Sequence, residues 1–204
     1  MTSISKNMFI NAVFLGIFTI AGTAIVAFTH DKTQQRIADN KRNHTLRKLH
    51  DLISPSIHDN DLNTDVIKVN DPLLARDAEM TVYRARKNNK PVAAIIECIA
   101  PDGYSGNIRL LVAVNYNGSL AGVRVTEHLE TPGLGDAIEA NKSDWIHIFK
   151  GKSLNKPGSE HWRVRRDGGE FDQITSATIT SRAVVKATHN VLKYFKANRE
   201  SLFN

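Results

Sequence analysis

IRLLVAVNYNGSLAGVRVTEH, residues 108–128, decides the fold: two apolar, β-branched runs meet at Asn117-Gly118. Asn-Gly between such runs is the strongest short-range signal for a β-hairpin. Working upstream, VAAIIECIA (92–100) and TVYRARK (81–87) have the same character, with turns at Asp102-Gly103 and at Asn88-Asn89-Lys90-Pro91. Turns this short connect antiparallel neighbours, because a parallel crossover needs a dozen residues or more. Residues 60–77 are polar and acidic, broken only by Val66-Ile67 and Leu73-Leu74, and read as a loop-rich or helix-turn entry to the sheet. Downstream, SDWIHIFKG (143–151) reads as a short helix and HWRVRRDGGEF (161–171) as a last strand turning at Gly168-Gly169. At the C-terminal end Val184, Val185, Thr188, Val191, Leu192 and Phe195 make one stripe of a 3.6-residue helix, while Arg182, Lys186, Lys193 and Lys196 fall largely off it. The expected class is α+β, an antiparallel sheet with helices packed against it.

The N-terminal end is of another kind. No charged residue lies between Lys6 and Asp31, and residues 8–28 form a run of 21 interrupted only by Asn11, Thr19 and Thr23. A bilayer core needs ~20 helical residues, so the run is long enough to span. A cleaved signal peptide has an apolar region of ~7–15 residues, and this one continues past the weak Gly22-Thr23-Ala24 site. A retained single span is expected. Residues 31–53 lack Pro and Gly and continue as a helix, a basic stem that is solvated or touches lipid headgroups, ended by Ser54-Pro55. This divides the chain into a tip and membrane helix (1–30), a basic helical stem (31–55) and a folded domain (56–204).

Charge supports that division. The formal net charge is +6, but six Lys/Arg crowd between Asp31 and His50, whereas residues 51–204 carry 20 basic and 19 acidic side chains. A nucleic-acid partner requires charge on the folded body, so none is expected. Lys6 alone precedes the span, and a literal positive-inside count places the domain in the cytoplasm. Long domains translocate regardless of charge, so charge leaves the topology open. The single cysteine, Cys98, excludes an internal disulfide and a Cys-based zinc site, and reads as a small buried hydrophobe. The eight His include no i, i+4 pair, so no metal site is expected. With no Gly-x-Ser-x-Gly elbow and only solvated carboxylates at Glu127, Glu130 and Asp136, no catalytic residue is assigned.

Two motifs carry chemistry. TSATITS (175–181) sets five hydroxyls in seven residues just before the final helix. Such hydroxyls are ordinary N-caps; equally, helix N–H groups and the positive end of the dipole bind phosphate, and a Thr oxygen there can carry a phosphoester. ETPGLG (130–135) packs one Pro and two Gly into four residues, either a plain connection or a loop whose backbone approaches a flat ligand. Ile138 replaces the third Gly of a dinucleotide fingerprint, so that reading is excluded.

Together, Glu130-Thr131-Pro132-Gly133-Leu134-Gly135 and Thr175-Ser176-Ala177-Thr178-Ile179-Thr180 resemble the FMN-binding domain family. That domain occurs in the G subunit of the Rnf (Rsx) electron-transport complex and in the C subunit of the sodium-translocating NADH:quinone reductase. The resemblance covers essentially the whole chain, and the short length and basic stem look more like the Rnf protein. It implies an electron-relay subunit of a membrane-bound, ion-translocating ferredoxin:NAD oxidoreductase, a translocase component without turnover of its own. It also implies a second role for Rsx-type complexes, re-reduction of a redox-sensing regulator. The equivalent quinone-reductase subunit is the nearest alternative; a membrane-anchored periplasmic binding or scaffold protein without flavin is an alternative of another class. The cofactor implied is FMN, held by a phosphoester to Thr180, the last hydroxyl of the motif. Ala177 and Thr178 line the phosphate, with Thr175, Ser176 and Ser181 beside it, and the Glu130–Gly135 loop faces the isoalloxazine. The partners implied are the other subunits of the complex and a flavin transferase. Because that transferase acts outside the cytoplasm, the resemblance places the domain in the periplasm of a bacterium, anchored in the inner membrane. Ser176 departs from the family, which has Gly there; a positive φ at that position would strain a serine by about 1 kcal/mol.

Overall fold

A computed structural model describes the backbone of residues 3–204 and the side chains of residues 8–30, 33–34 and 47–204. The chain forms two compact bodies, Met1–His44 and Thr45–Asn204. The first is helical, part of α1 (Ser3–Leu52). Its segment Met8–His30 has a mean hydropathy of 2.1 and no buried residue. Thr19 and Thr23 do not interrupt it, since their hydroxyls donate to the carbonyls of Leu15 and Thr19, both at 2.8 Å. A hydroxyl satisfied within its own helix removes the main obstacle to placing threonine in lipid. The headgroup-facing side chains expected of Lys32, Arg36, Lys41 and Arg42 lie outside the described residues.

The second body is built on a five-stranded antiparallel meander in the order β1-β2-β3-β4-β5. The strands are β1 (Val66–Val69), β2 (Met80–Lys87), β3 (Lys90–Ala100), β4 (Ile108–Asn115) and β5 (Leu120–Glu127). The Asn-Gly hairpin closes as expected, with the Asn115 and Ser119 backbones bonded at 2.8 Å and Gly118 at φ +86°. The β2–β3 turn is tighter than the four-residue one expected. Asn88 (φ 50°) and Asn89 (φ 60°) form it alone, and Lys90 and Pro91 already belong to β3. Two positive-φ residues in a two-residue loop match the strand twist, and Asn tolerates that region best after Gly.

Both faces of the sheet are covered, which explains why VAAIIECIA is apolar without alternation. Ala94, Ile96 and Cys98 face one way, with Leu110, Val112 and Val114, onto α2 (Thr178–Asn198). The whole α2 stripe read from the sequence is buried there. Ala93, Ile95, Leu111 and Ala113 face the other way, onto Leu49 and Leu52 at the end of α1 and Ile53 just after it. Lys48 fastens that end by donating to the carbonyls of Val125 (3.0 Å) and Thr126 (3.4 Å). Burial lowers its pKa, against the pull of Glu139. Cys98 is fully enclosed, and burial raises its thiol pKa.

Two further expectations fail. Residues 60–77 are not all loop: β1 lies among them, secured because Asp65 accepts from Arg84 (2.6 Å) and Arg86 (2.9 Å) on β2. HWRVRRDGGEF is not a strand. It coils through a single turn at Arg165–Asp167 with one isolated parallel bridge, Val164 to Phe171. The segment exists to bury aromatics: Trp162 and Phe171 pack at 4.6 Å between centroids, beside Phe149.

His189 of α2 stacks on Trp162 at 5.3 Å and shares a 2.8 Å hydrogen bond with Ser159. Burial first, and Lys193 second, depress its pKa to about 4. The folded protein thus keeps this ring neutral where an unfolded chain protonates it near pH 6.5. Its contribution is full above pH 6.5 and is lost as pH falls towards 4. We expect melting of the protein in detergent to show about 1–2 kcal/mol lost over that window, after solvent screening. His189→Phe should flatten the window; an unchanged slope would refute the assignment.

Candidate functional site

The cleft opens where the first turn of α2 meets the loop after β5. That loop is tight because one carbonyl, Thr131, accepts the N–H groups of Leu134 (3.1 Å), Gly135 (3.0 Å) and Asp136 (3.4 Å). Upstream, the Glu130 N–H donates to His128 Nδ1 (3.0 Å), so the other ring nitrogen carries the proton and faces Glu139 at 3.0 Å. This ladder sets Glu130 pointing inwards, where it is 4% exposed. Its Oε1 accepts the Ser105 N–H at 3.0 Å, and its Oε2 accepts the Thr180 hydroxyl. Thr180 is 1% exposed. Gly135 permits the approach: a Cβ there would lie 2.8 Å from Glu130 Cβ, 2.9 Å from its Oε2 and 3.3 Å from Thr180 Oγ1.

On the helix side, Ser176 has φ 72°, a left-handed conformation unusual for a non-glycine residue. The departure from the glycine of the family motif therefore falls where glycine would be unstrained. The N-cap is Ala177, which has no side chain to cap with, and no side-chain bond closes the helix. The hydroxyl-rich run is therefore not a conventional cap. Only Ser181 braces it, accepting from Ile174 N–H and donating to the Ala177 carbonyl, each at 3.0 Å. An uncapped first turn leaves N–H donors for an anion.

The cleft holds about 720 Å³, in the range of small-molecule and cofactor sites. Glu130, Thr131, Leu134, Gly135, Ser176, Ala177, Thr178 and Thr180 line it, eight of the residues singled out from sequence. Pro132, Gly133, Thr175 and Ser181 do not. Pro132 and Gly133 (φ 78°) shape the turn, Thr175 is exposed, and Ser181 is buried in the first turn of α2. Sequence reasoning missed Tyr104, Arg166, Ile179 and Arg182, which complete the lining. Arg182, four residues after Thr178, sits on the same helical face, a spacing that was there to be read. It is fixed by a fork to Asp167 at 2.5 and 2.7 Å, which holds that carboxyl below the usual carboxylate range. Tyr104, Leu134 and Ile179 are exposed, as is Leu129 beside Glu130. An uncapped helix start, two guanidinium groups and an apolar rim fit a ligand with an anionic end and a flat apolar end. Among the described residues no group of His, Cys, Asp and Glu could hold a metal ion.

Residues 103–193 match the FMN-binding domain family, and residues 1–52 match the RnfG N-terminal region. The G subunit of an ion-translocating oxidoreductase complex from Pseudomonas aeruginosa (strain UCBPP-PA14) is 48% identical over 198 residues, 97% of this chain and 92% of that protein. The chain belongs to this G-subunit family. Proteins of the same description from Shewanella amazonensis (44% over 200 residues) and Photorhabdus laumondii subsp. laumondii (43% over 192) match 98% and 94% of this chain, and 93% and 92% of their own. The match to the FMN-binding domain begins at Gly103, one residue before Tyr104, and so takes in both sides of the cleft. Membership of the G-subunit family and a single apolar N-terminal helix agree with a single-pass membrane protein.

Proposed function

We propose that this G-subunit protein is the electron-relay subunit of an ion-translocating oxidoreductase complex of the Rnf type and carries FMN as a phosphoester on Thr180. The observation that carries the reading is the pairing of an uncapped helix start with the Thr180 hydroxyl on the floor of the same cleft. The first-turn N–H groups, with Arg166 and Arg182, would hold the phosphate; Tyr104, Leu134, Ile179 and the Glu130–Gly135 loop would flank the ring. FMN supplies redox chemistry, taking and giving electrons singly or in pairs, while the protein supplies position and charge. A tethered flavin cannot dissociate between redox states, which suits a relay. The names borne by the relatives favour this complex over a sodium-translocating quinone reductase.

The remaining assignments belong to the same reading. Residues 1–30 anchor the chain in the bacterial inner membrane, residues 31–55 form a basic stem whose last turn packs into the folded body, and residues 56–204 complete the FMN-binding domain on the periplasmic side. There a flavin transferase would modify it. Translocation as such is the property of the complex with its other subunits.

The test is direct. The full chain, produced with a flavin transferase in a bacterial host, should give a fluorescent band on a denaturing gel, and protease added to spheroplasts should digest the domain. A dark band would favour a scaffold without flavin. A protected domain would reverse the orientation.

A further inference from the structure

Glu130 does more than line a cofactor cleft. It is a buried carboxylate whose two oxygens each have one donor, the Ser105 N–H at 3.0 Å and the Thr180 hydroxyl. Burying a charge is costly, and a neutral amide would satisfy the Ser105 donor at lower cost. The corner is closely packed around the pair, since any side chain at Gly135 would displace Glu130 or Thr180. A threonine hydroxyl is a weak nucleophile at neutral pH, and its usual activation is an adjacent base oriented by a third group. Here the hydroxyl, the base and the orienting group are all present: Thr180, Glu130 and the Ser105 N–H, with the Glu130 backbone fixed on His128.

We propose that Glu130 is the proton acceptor for Thr180 when flavin phosphate is transferred to it, so that the chain brings the base for its own modification. The proposal rests on Thr180 being the attachment site. Free FMN is a poor donor, because ester formation from it must expel hydroxide or water; the donor required is a flavin dinucleotide with a phosphoanhydride link. In the transfer the Thr180 Oγ1–P bond forms and the P–O–P bridge breaks. Adenylate leaves with the bonding pair, the hydroxyl proton passes to Glu130 Oε2 and from there to water, and nothing is oxidised or reduced.

The experiment uses the full chain in detergent, purified flavin transferase and FAD, with flavin attachment followed by in-gel fluorescence and intact mass. Glu130→Gln keeps the shape and an acceptor for Ser105 but removes the base. The expected result is a fall in kcat of about 10²–10³-fold with little change in KM for the chain, in line with general base catalysis. Glu130→Asp keeps a carboxylate one methylene short and should label faster than Glu130→Gln, even if both melt lower than wild type. Equal rates for wild type and Glu130→Gln, or equal rates for the two variants, would overturn the proposal while leaving Thr180 as the attachment site. A wild-type chain that takes up no flavin, or takes it elsewhere, would overturn both.

Discussion

Thr180→Ala should abolish covalent flavin completely, leaving a dark band where the parent chain fluoresces. The position is not interchangeable with its neighbours. Five hydroxyls precede or open α2, yet Ser181 is committed to bracing Ile174 and Ala177, Thr175 lies outside the cleft, and Ser176 is held at positive φ. Only Thr180 combines a place on the cleft floor with a carboxylate at its oxygen. The substitution also leaves Glu130 Oε2 buried without its donor, which should destabilise the protein by about 1–3 kcal/mol. Thr178→Ala provides the control: it removes a half-buried hydroxyl from the same turn and should keep the label. Fluorescence retained in Thr180→Ala, or lost only in Thr178→Ala, would assign the ester to another residue.

Phe203→Ala should destabilise the protein more than Thr180→Ala does, by about 3–5 kcal/mol. The ring meets Tyr116 edge-on at 5.7 Å and lies under the Arg86 guanidinium at 5.5 Å. Its carbonyl accepts from Arg86 at 2.9 Å, and the Leu202 carbonyl accepts from Arg84 at 3.3 Å. The same two arginines hold Asp65 and, through it, β1. Removing the ring therefore loosens a short edge strand that has little burial of its own. Thermal melting should fall by about 10 °C or more for a body of this size. A shift within experimental error would show that the end of the chain is merely laid on the sheet.

The parts of the fold set by local chemistry were legible. The Asn117-Gly118 hairpin, the runs that became β2 to β5, the α2 stripe and the apolar N-terminal helix all follow from turn residues and hydrophobic period. What escaped depends on distant partners. Val66–Val69 is too short to carry a period, and becomes a strand because Asp65 finds Arg84 and Arg86 on β2. Trp162 and Val164 alternate as in a strand, but Trp162 and Phe171 both meet Phe149, and Trp162 also meets His189, from a coil. The site divides in the same way. Its two motifs were visible as motifs, whereas Tyr104 and Arg166 reach the cleft only through tertiary packing. Ser181 braces the helix start, a role that cannot be told in sequence from facing a ligand, because the two kinds of hydroxyl look alike there.

The proposed phosphoester between FMN and Thr180 has a mass signature of its own. It is tested most directly by mass spectrometry of the Thr180 peptide from protein purified from membranes of its native host. The expected peptide is heavier by FMN less one water, with fragmentation placing the addition on Thr180. An unmodified peptide recovered in full yield, or the flavin mass on any other residue, would contradict it.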